Sequence, residues 1–437
     1  VLDQQARETF GVNVAPFASG PFDMNFTYTV SPDGAQHIAA ALGAEDALIE
    51  IPELFWEKPI GERASILVLA RLEDHKNVEV TNFELNSMDL RVKGRAEIGP
   101  QHGNLISAEL SSVQLGDNDV TVSYKRDADD NIVLDVGGKS LDLRPYIKQL
   151  RDTDQDNLPP FILEANVERL ITRADQQITD ARARAVNTAE RLESAILIGT
   201  LTSGSEFRLV LEPDGAAKRR LVVRSNDAGS VARAFNIYDD VIGGSLVLDA
   251  TIHDDQPGAP VEGEVRIEDY KVINAPTLAQ ILAVASFTGI FDALQGEGIT
   301  FSNFHLPFSL KDGIVTVERA QTAGFSIGVN ASGKVNLDNG RVDMRGTIVP
   351  AYALNSILGN IPLIGDLLVG GEGEGIFAAT FSVKGTTEEP KATVNPLAAL
   401  APGFLRNLFS IFDGESDVTG DEVEEPEIVQ PRPETNR

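Results

Sequence analysis

The nine residues "LRVKGRAEI" at 90–98 sort their side chains by parity. Leu90, Val92, Ala96 and Ile98 fall on one face, and Arg91, Lys93, Arg95 and Glu97 on the other. A helix would scatter these residues around its circumference, whereas an extended strand separates them into a dry face and a wet one. The pattern recurs along the chain, in "SLVLDATI" (245–252), "VEGEVRI" (261–267), "FHLPFSL" (304–310) and "FSIGVNA" (325–331). Between such runs stand "PDG" at 213–215, "KDG" at 311–313 and "LDNG" at 337–340, the residues that short hairpin connections require. The fold expected is mainly β and antiparallel, with about 20 strands at about 4.8 Å spacing forming a body on the order of 100 Å long.

One stretch, "QQITDARARAVNTAERLESAILIGTL" at 176–201, has high helix propensity. Its Ala181, Ala183 and Ala185 nevertheless alternate with Arg182 and Arg184, and we read it as strand. Short helices are expected at 227–235, 276–294, 352–368 and 395–409, where Pro, Asp or Asn stands near the start. The pieces at 352–368 lie inside "GTIVPAYALNSILGNIPLIGDLLVGGEGEGIFAATFSVKG" (346–385) and have no polar face to offer water. They must pack on the sheet, on each other or on a membrane. The division expected is 1–157 and 158–394 as two β segments, 395–412 as terminal apolar helices, and 413–437 as a disordered acidic tail too poor in apolar residues to order itself.

With 42% hydrophobic and 24% charged residues the chain belongs among folded proteins. A net charge of −29, from 66 acidic against 37 basic residues, argues against nucleic acid as a partner. The absence of cysteine removes thiol catalysis, disulfides and thiolate metal sites together. The opening "VLDQQARETF" has neither an initiator Met nor a signal-peptide pattern and reads as the interior of a longer protein. Residues 272–291 have the length of a membrane span, but Pro276, Gln280, Ser286 and Thr288 interrupt them and Asp269 and Asp292 flank them, against that reading.

Nothing in the chain has the spacing of a catalytic centre. His37, His75, His102, His253 and His305 are scattered, none beside a nucleophile or at i, i+4 from another. "GGEGEG" at 370–375 lacks the Lys-Ser/Thr of a phosphate loop and reads as a turn. As a calcium loop, "DADDN" has Asp127, Asp129 and Asn131 but puts Ile132 at the turn glycine and Gly138 at the bidentate glutamate. The run "DTDQDNLPPFILE" offers Asp152, Asp154 and Asp156, yet its twelfth residue is Leu163 and Pro159-Pro160 stiffens it, so a linker is the better reading. We expect no enzyme, no cofactor and no metal. What remains is a long apolar face, either the filled core of a sandwich or the lining of a trough.

Five stretches resemble the AsmA-like proteins of Gram-negative envelopes, the YhdP and TamB relatives. They are "SNDAGSVARAFNIYDDVIGGSL" (225–246), "LAVASFTGIFDALQGEGITFSNF" (282–304), the block 346–409, "IEIPELFWEKPIGERA" (49–64) and "GGKSLDLRPYIKQL" (137–150). The resemblance implies an elongated, curled β-groove in the periplasm, anchored in the inner membrane by an N-terminal helix not in this chain, that conducts phospholipid toward the outer membrane. Its partners would be acyl chains, held along the groove while headgroups stay in water. The alternative is an envelope scaffold or outer-membrane assembly factor with a filled β core.

On that reading Leu246, Leu248, Val265, Ile267, Phe304, Leu306, Phe308, Phe325, Ile327, Val329, Met344 and Phe381 line the groove, each on the apolar side of an alternating strand. At the end of the body, Phe404, Leu405, Leu408, Phe409, Ile411 and Phe412 cover most of a short helix. It either caps the last strand or enters a membrane interface.

Overall fold

The structure, a computed structural model, describes residues 1–2, 17–32, 34–72, 77–99, 104–128, 130–147, 159–284, 294, 297–350 and 379–395. Its first strands are β1 (Ala18–Ser19), β2 (Asp23–Val30), β3 (Gln36–Gly43), β4 (Leu48–Ile51), β5 (Trp56–Lys58), β6 (Ser65–Leu72), β7 (Val78–Asn86) and β8 (Leu90–Ile98). There follow β9 (Leu105–Leu115), β10 (Asn118–Arg126), β11 (Ile132–Asp142), β12 (Phe161–Arg173), β13 (Gln176–Asn187), β14 (Leu192–Leu201), β15 (Glu206–Pro213) and β16 (Lys218–Ser225). The last are β17 (Val241–His253), β18 (Val261–Val272), β19 (Ile299–Lys311), β20 (Ile314–Gly324), β21 (Ile327–Asn336), β22 (Arg341–Pro350), β23 (Ala379–Thr386) and β24 (Pro390–Asn395). The short helices α1 (Ala228–Ala234) and α2 (Pro276–Val284) stand between β16 and β17 and between β18 and β19.

Apart from β1, β4 and β5, which form a small sheet of their own, all strands belong to one sheet of 21. It runs in chain order, each strand pairing with the next from β2 and β3 through β6 to β24. Among the described residues no register joins β2 to β24, so the sheet is open. The ambiguous stretch at 176–201 is strand, as β13 and β14.

The antiparallel expectation needs one correction. β11 and β12 run parallel, with Ile132 opposite Phe161 and Asp142 opposite Ile171. Parallel neighbours cannot be joined by a tight hairpin turn, and residues 143–160 separate β11 from β12. A second departure is Pro307 within β19. It has no N–H to give to β20, and the register with β20 slips between His305 and Phe308.

The two edges of this strip differ. The long connections 44–64 and 226–240 leave and rejoin the sheet along one edge, and at that same edge β18 and β22 end and β19 and β23 begin. The other edge carries tight turns, such as 214–217 and 312–313. At the first edge the small sheet, α1 and α2 lie over the apolar face. Asp227 caps α1, its carboxylate accepting from Ser230 N at 2.9 Å and Ser230 Oγ at 2.7 Å. Burial works to raise the Asp227 pKa, but these bonds outweigh it and the group is held below its usual range. In the small sheet Lys58 is buried, its ammonium donating to the carbonyls of Ala44, Glu45 and Ala47. Burial lowers its pKa against the pull of Glu62, Asp46 and Glu45.

The core follows the same edge. The largest fully buried side chains include Leu90, Ile178, Leu282, Phe301, Ile327 and Ile348, all on or beside the capped edge. They fall in two clusters, one from β2 to β16 with α1 and one from β18 to β24 with α2. The apolar helices expected at 352–368, most of those at 395–412, and the acidic tail lie outside the described residues, as do Phe404, Leu405, Leu408, Phe409, Ile411 and Phe412.

Candidate functional site

Residues directly paired on neighbouring strands point to the same face, so the registers trace each row of side chains across the whole strip. One row begins with Phe26, Ala40, Val68, Phe83, Gly94 and Leu110. It continues through Val122, Val136, Ala165, Ala183, Leu197 and Leu209. Val223, Leu248, Val265 and Leu306 carry it to β19. Beyond the slip in β20 it resumes as Ala320, Ala331, Gly346, Phe381 and Val394. Every strand of the sheet contributes, and no position is polar.

The next row toward the hairpin edge is also apolar throughout. It starts at Tyr28, Ile38 and Ala70, passes Leu134, Leu163 and Leu211, and ends at Phe308, Val317, Met344, Val383 and Ala392. At a spacing of about 4.8 Å, 21 strands carry these rows for about 96 Å along the sheet. Most of the large residues in them are only half-buried, and Phe26 and Tyr28 on the edge strand β2 are exposed.

Eleven of the twelve residues that the sequence assigned to the lining are on this face. Leu248, Val265, Leu306 and Phe381 sit in the first row, and Phe308 and Met344 in the second. Leu246, Ile267, Phe304 and Val329 make a row nearer the capped edge. Ile327 is fully buried there, in the cluster that includes Leu282 of α2. Phe325 is corrected. Pairing of β20 with β21 stops at Ala323 and Gly328, so Phe325 lies in the turn, off the strand, and is 95% exposed.

Local packing supports the rows. Gly346 lies under the Phe381 ring, and a Cβ there would stand 2.5 Å from the ring and 2.0 Å from Asn330 O, so only glycine leaves room. Toward the capped edge Tyr270 stacks on Phe301 at 5.2 Å and meets Phe304 edge-on at 6.3 Å. Its hydroxyl bonds to Thr322 Oγ1 at 2.6 Å, and burial pushes its pKa up to about 12.

The opposite face is wet and ion-paired. Arg95 donates to Glu109 at 2.9 Å, and Arg220 to Asp249 at 2.9 Å. The bond from Arg220 holds the Asp249 carboxyl below its usual range despite partial burial. Glu264 is held low in the same way, first by His305 and then by Arg266.

Among the described residues no group of His, Asp and Glu side chains is arranged to hold a metal, and no helix is long and apolar enough to cross a membrane. In the "DADDN" loop Asp127 accepts from Asn131 N at 2.9 Å and Asn131 Nδ2 at 3.0 Å, bonds that close the β10–β11 turn. Sequence reasoning overlooked the N-terminal half of the rows, including Phe83, Val122, Leu197 and Val223, although the same alternation marks them. Comparison with protein-family models, with curated proteins and with solved structures finds no match.

Proposed function

We propose that the sheet curls about its apolar face into a groove that carries phospholipid acyl chains, without catalysis, between the inner and outer membranes. The observation that supports this is the row from Phe26 to Val394, apolar on every strand of an open sheet. Exposing hydrocarbon to water costs roughly 0.8 kcal/mol per methylene, so a chain of about 16 carbons faces a barrier on the order of 12 kcal/mol in crossing an aqueous space. A continuous dry surface removes most of that barrier, and the open edge lets headgroups remain in water. The resemblance to AsmA-like proteins favours the same reading. With it come a periplasmic location, an N-terminal inner-membrane anchor outside the given sequence, and the choice between cap and membrane contact for the helix at 404–412.

A second reading, an envelope scaffold with a filled β core, draws on the clusters buried beneath α1 and α2. Native mass spectrometry of the purified protein separates the two. The groove predicts copurified phospholipid that survives gentle ionisation; a lipid-free mass from membrane-containing lysate would sink it and leave the scaffold.

A further inference from the structure

On the polar face one row sets two arginines directly against each other. Arg182 lies opposite Ile198, Ile198 opposite Arg208, and Arg208 directly opposite Arg224. Like charges facing each other across two strands destabilise a sheet. Elsewhere on this face Arg95 is matched by Glu109, Arg184 by Glu164, Arg220 by Asp249 and Arg266 by Glu264. The side chains of Arg182, Arg208 and Arg224 have no hydrogen bond or ion pair among the described residues. Acids are not scarce in a chain with 66 of them against 37 bases.

The three arginines line one concavity of ≈ 470 Å³. Thr200 and Asn226 add a hydroxyl and an amide to its wall, and Asp180 and Glu206 line it as well. Arg224 also feels the charge of Asp249, but that carboxylate is engaged by Arg220. Three guanidiniums against two carboxylates leave a net positive concavity on a strongly negative protein.

We propose that this concavity binds a phosphate dianion, gripped by Arg208 and Arg224 with Arg182 completing the positive field. The planar forks of two opposed guanidiniums suit the oxygens of a phosphate monoester, and an anion between them relieves their mutual repulsion. The phosphate belongs either to a soluble ester or to a lipid headgroup at a membrane surface. The site lies on the face opposite the acyl-chain groove and does not depend on it.

The test uses the full chain at constant ionic strength. Calorimetric titration with glycerol 3-phosphate is one arm, and flotation with phosphatidic acid vesicles, against phosphatidylcholine vesicles, is the other. Wild-type binding in the first arm assigns a soluble ester, and binding to phosphatidic acid alone assigns a headgroup. In either case Arg224→Glu should weaken binding at least tenfold. It should also leave the melting temperature equal or higher, because it gives Arg208 a cross-strand partner. Glu206→Gln, which removes a competing carboxylate, should tighten binding severalfold. No wild-type binding in either arm, or equal binding by Arg224→Glu, would overturn the proposal.

Discussion

The two edges of the strip are built from the same alternating strands, yet they hold the apolar face differently. Along the capped edge α1, α2 and the small sheet lie on it, and Leu90, Ile178, Phe301, Ile327 and Ile348 lose all contact with water. Along the hairpin edge the turns are short, and Val261 and Leu310 stay half-buried. One cluster stands out there. Arg219 and Asp254 are buried together, with Arg219 Nη2 at 2.7 Å and Arg191 Nη1 at 3.1 Å from the carboxylate. The difference teaches that stability and access are separated across the width of the sheet. One edge fixes the strands, and the other leaves the apolar rows half-buried, as the proposed groove requires.

That contrast fixes an order of mutational effects. The largest belongs to the capped edge, where Ile327→Asp puts an unpaired charge in a dry cluster and should cost about 3–5 kcal/mol in denaturant unfolding. Asp254→Ala, at the hairpin edge, strands the Arg219 guanidinium and should cost about 3 kcal/mol, at the low end of the same range. The Arg219 bonds hold the folded pKa of Asp254 below its usual value. The stabilisation is therefore complete above the unfolded carboxylate pKa of about 3.9 and is lost as pH falls through the lower folded value. The gap between wild type and variant should narrow steadily as pH falls below the unfolded carboxylate value and close once the folded group is protonated; a gap that does not change with falling pH, while both proteins remain folded, would contradict the ion-pair account.

Leu306→Asp, in the half-buried middle row, should cost only about 1–2 kcal/mol, since the carboxylate keeps access to water. It should nonetheless remove lipid binding, because it interrupts the row. If it costs as much as Ile327→Asp, the face is filled, the edges do not differ, and the scaffold reading gains. The smallest effect is expected from Arg95→Ala on the wet face, below about 1 kcal/mol with lipid binding intact.

Much of this was legible in the sequence, because parity of side chains is a local property. "LRVKGRAEI" is enough to make β8 a two-faced strand, and the same rule found β17, β18, β19 and β21. Register is not local. Which residue of β16 faces Arg208 depends on turn lengths and bulges, so the opposed arginines were invisible until strands were paired. The parallel step from β11 to β12 was hidden for the same reason; its one trace was the run "DTDQDNLPPFILE" (152–164), read as a linker, whose last four residues belong to β12. Phe325 misled because its turn, Phe325-Ser326, carries none of the Gly, Asn or Asp that mark turns elsewhere. Lys58 is a further case. Nothing in the neighbouring sequence marks it as buried, and only the fold brings the three carbonyls of Ala44, Glu45 and Ala47 around it.

The central claim is that one face of the sheet, and not the other, touches acyl chains. A photo-crosslinking amino acid placed at Leu306 and, separately, at His305 asks this of two consecutive residues on one strand, pointing to opposite faces. Illumination in cells followed by mass analysis should give lipid adducts at 306 and none at 305. Equal labelling at both positions, or none at 306 in a folded protein, would contradict the account.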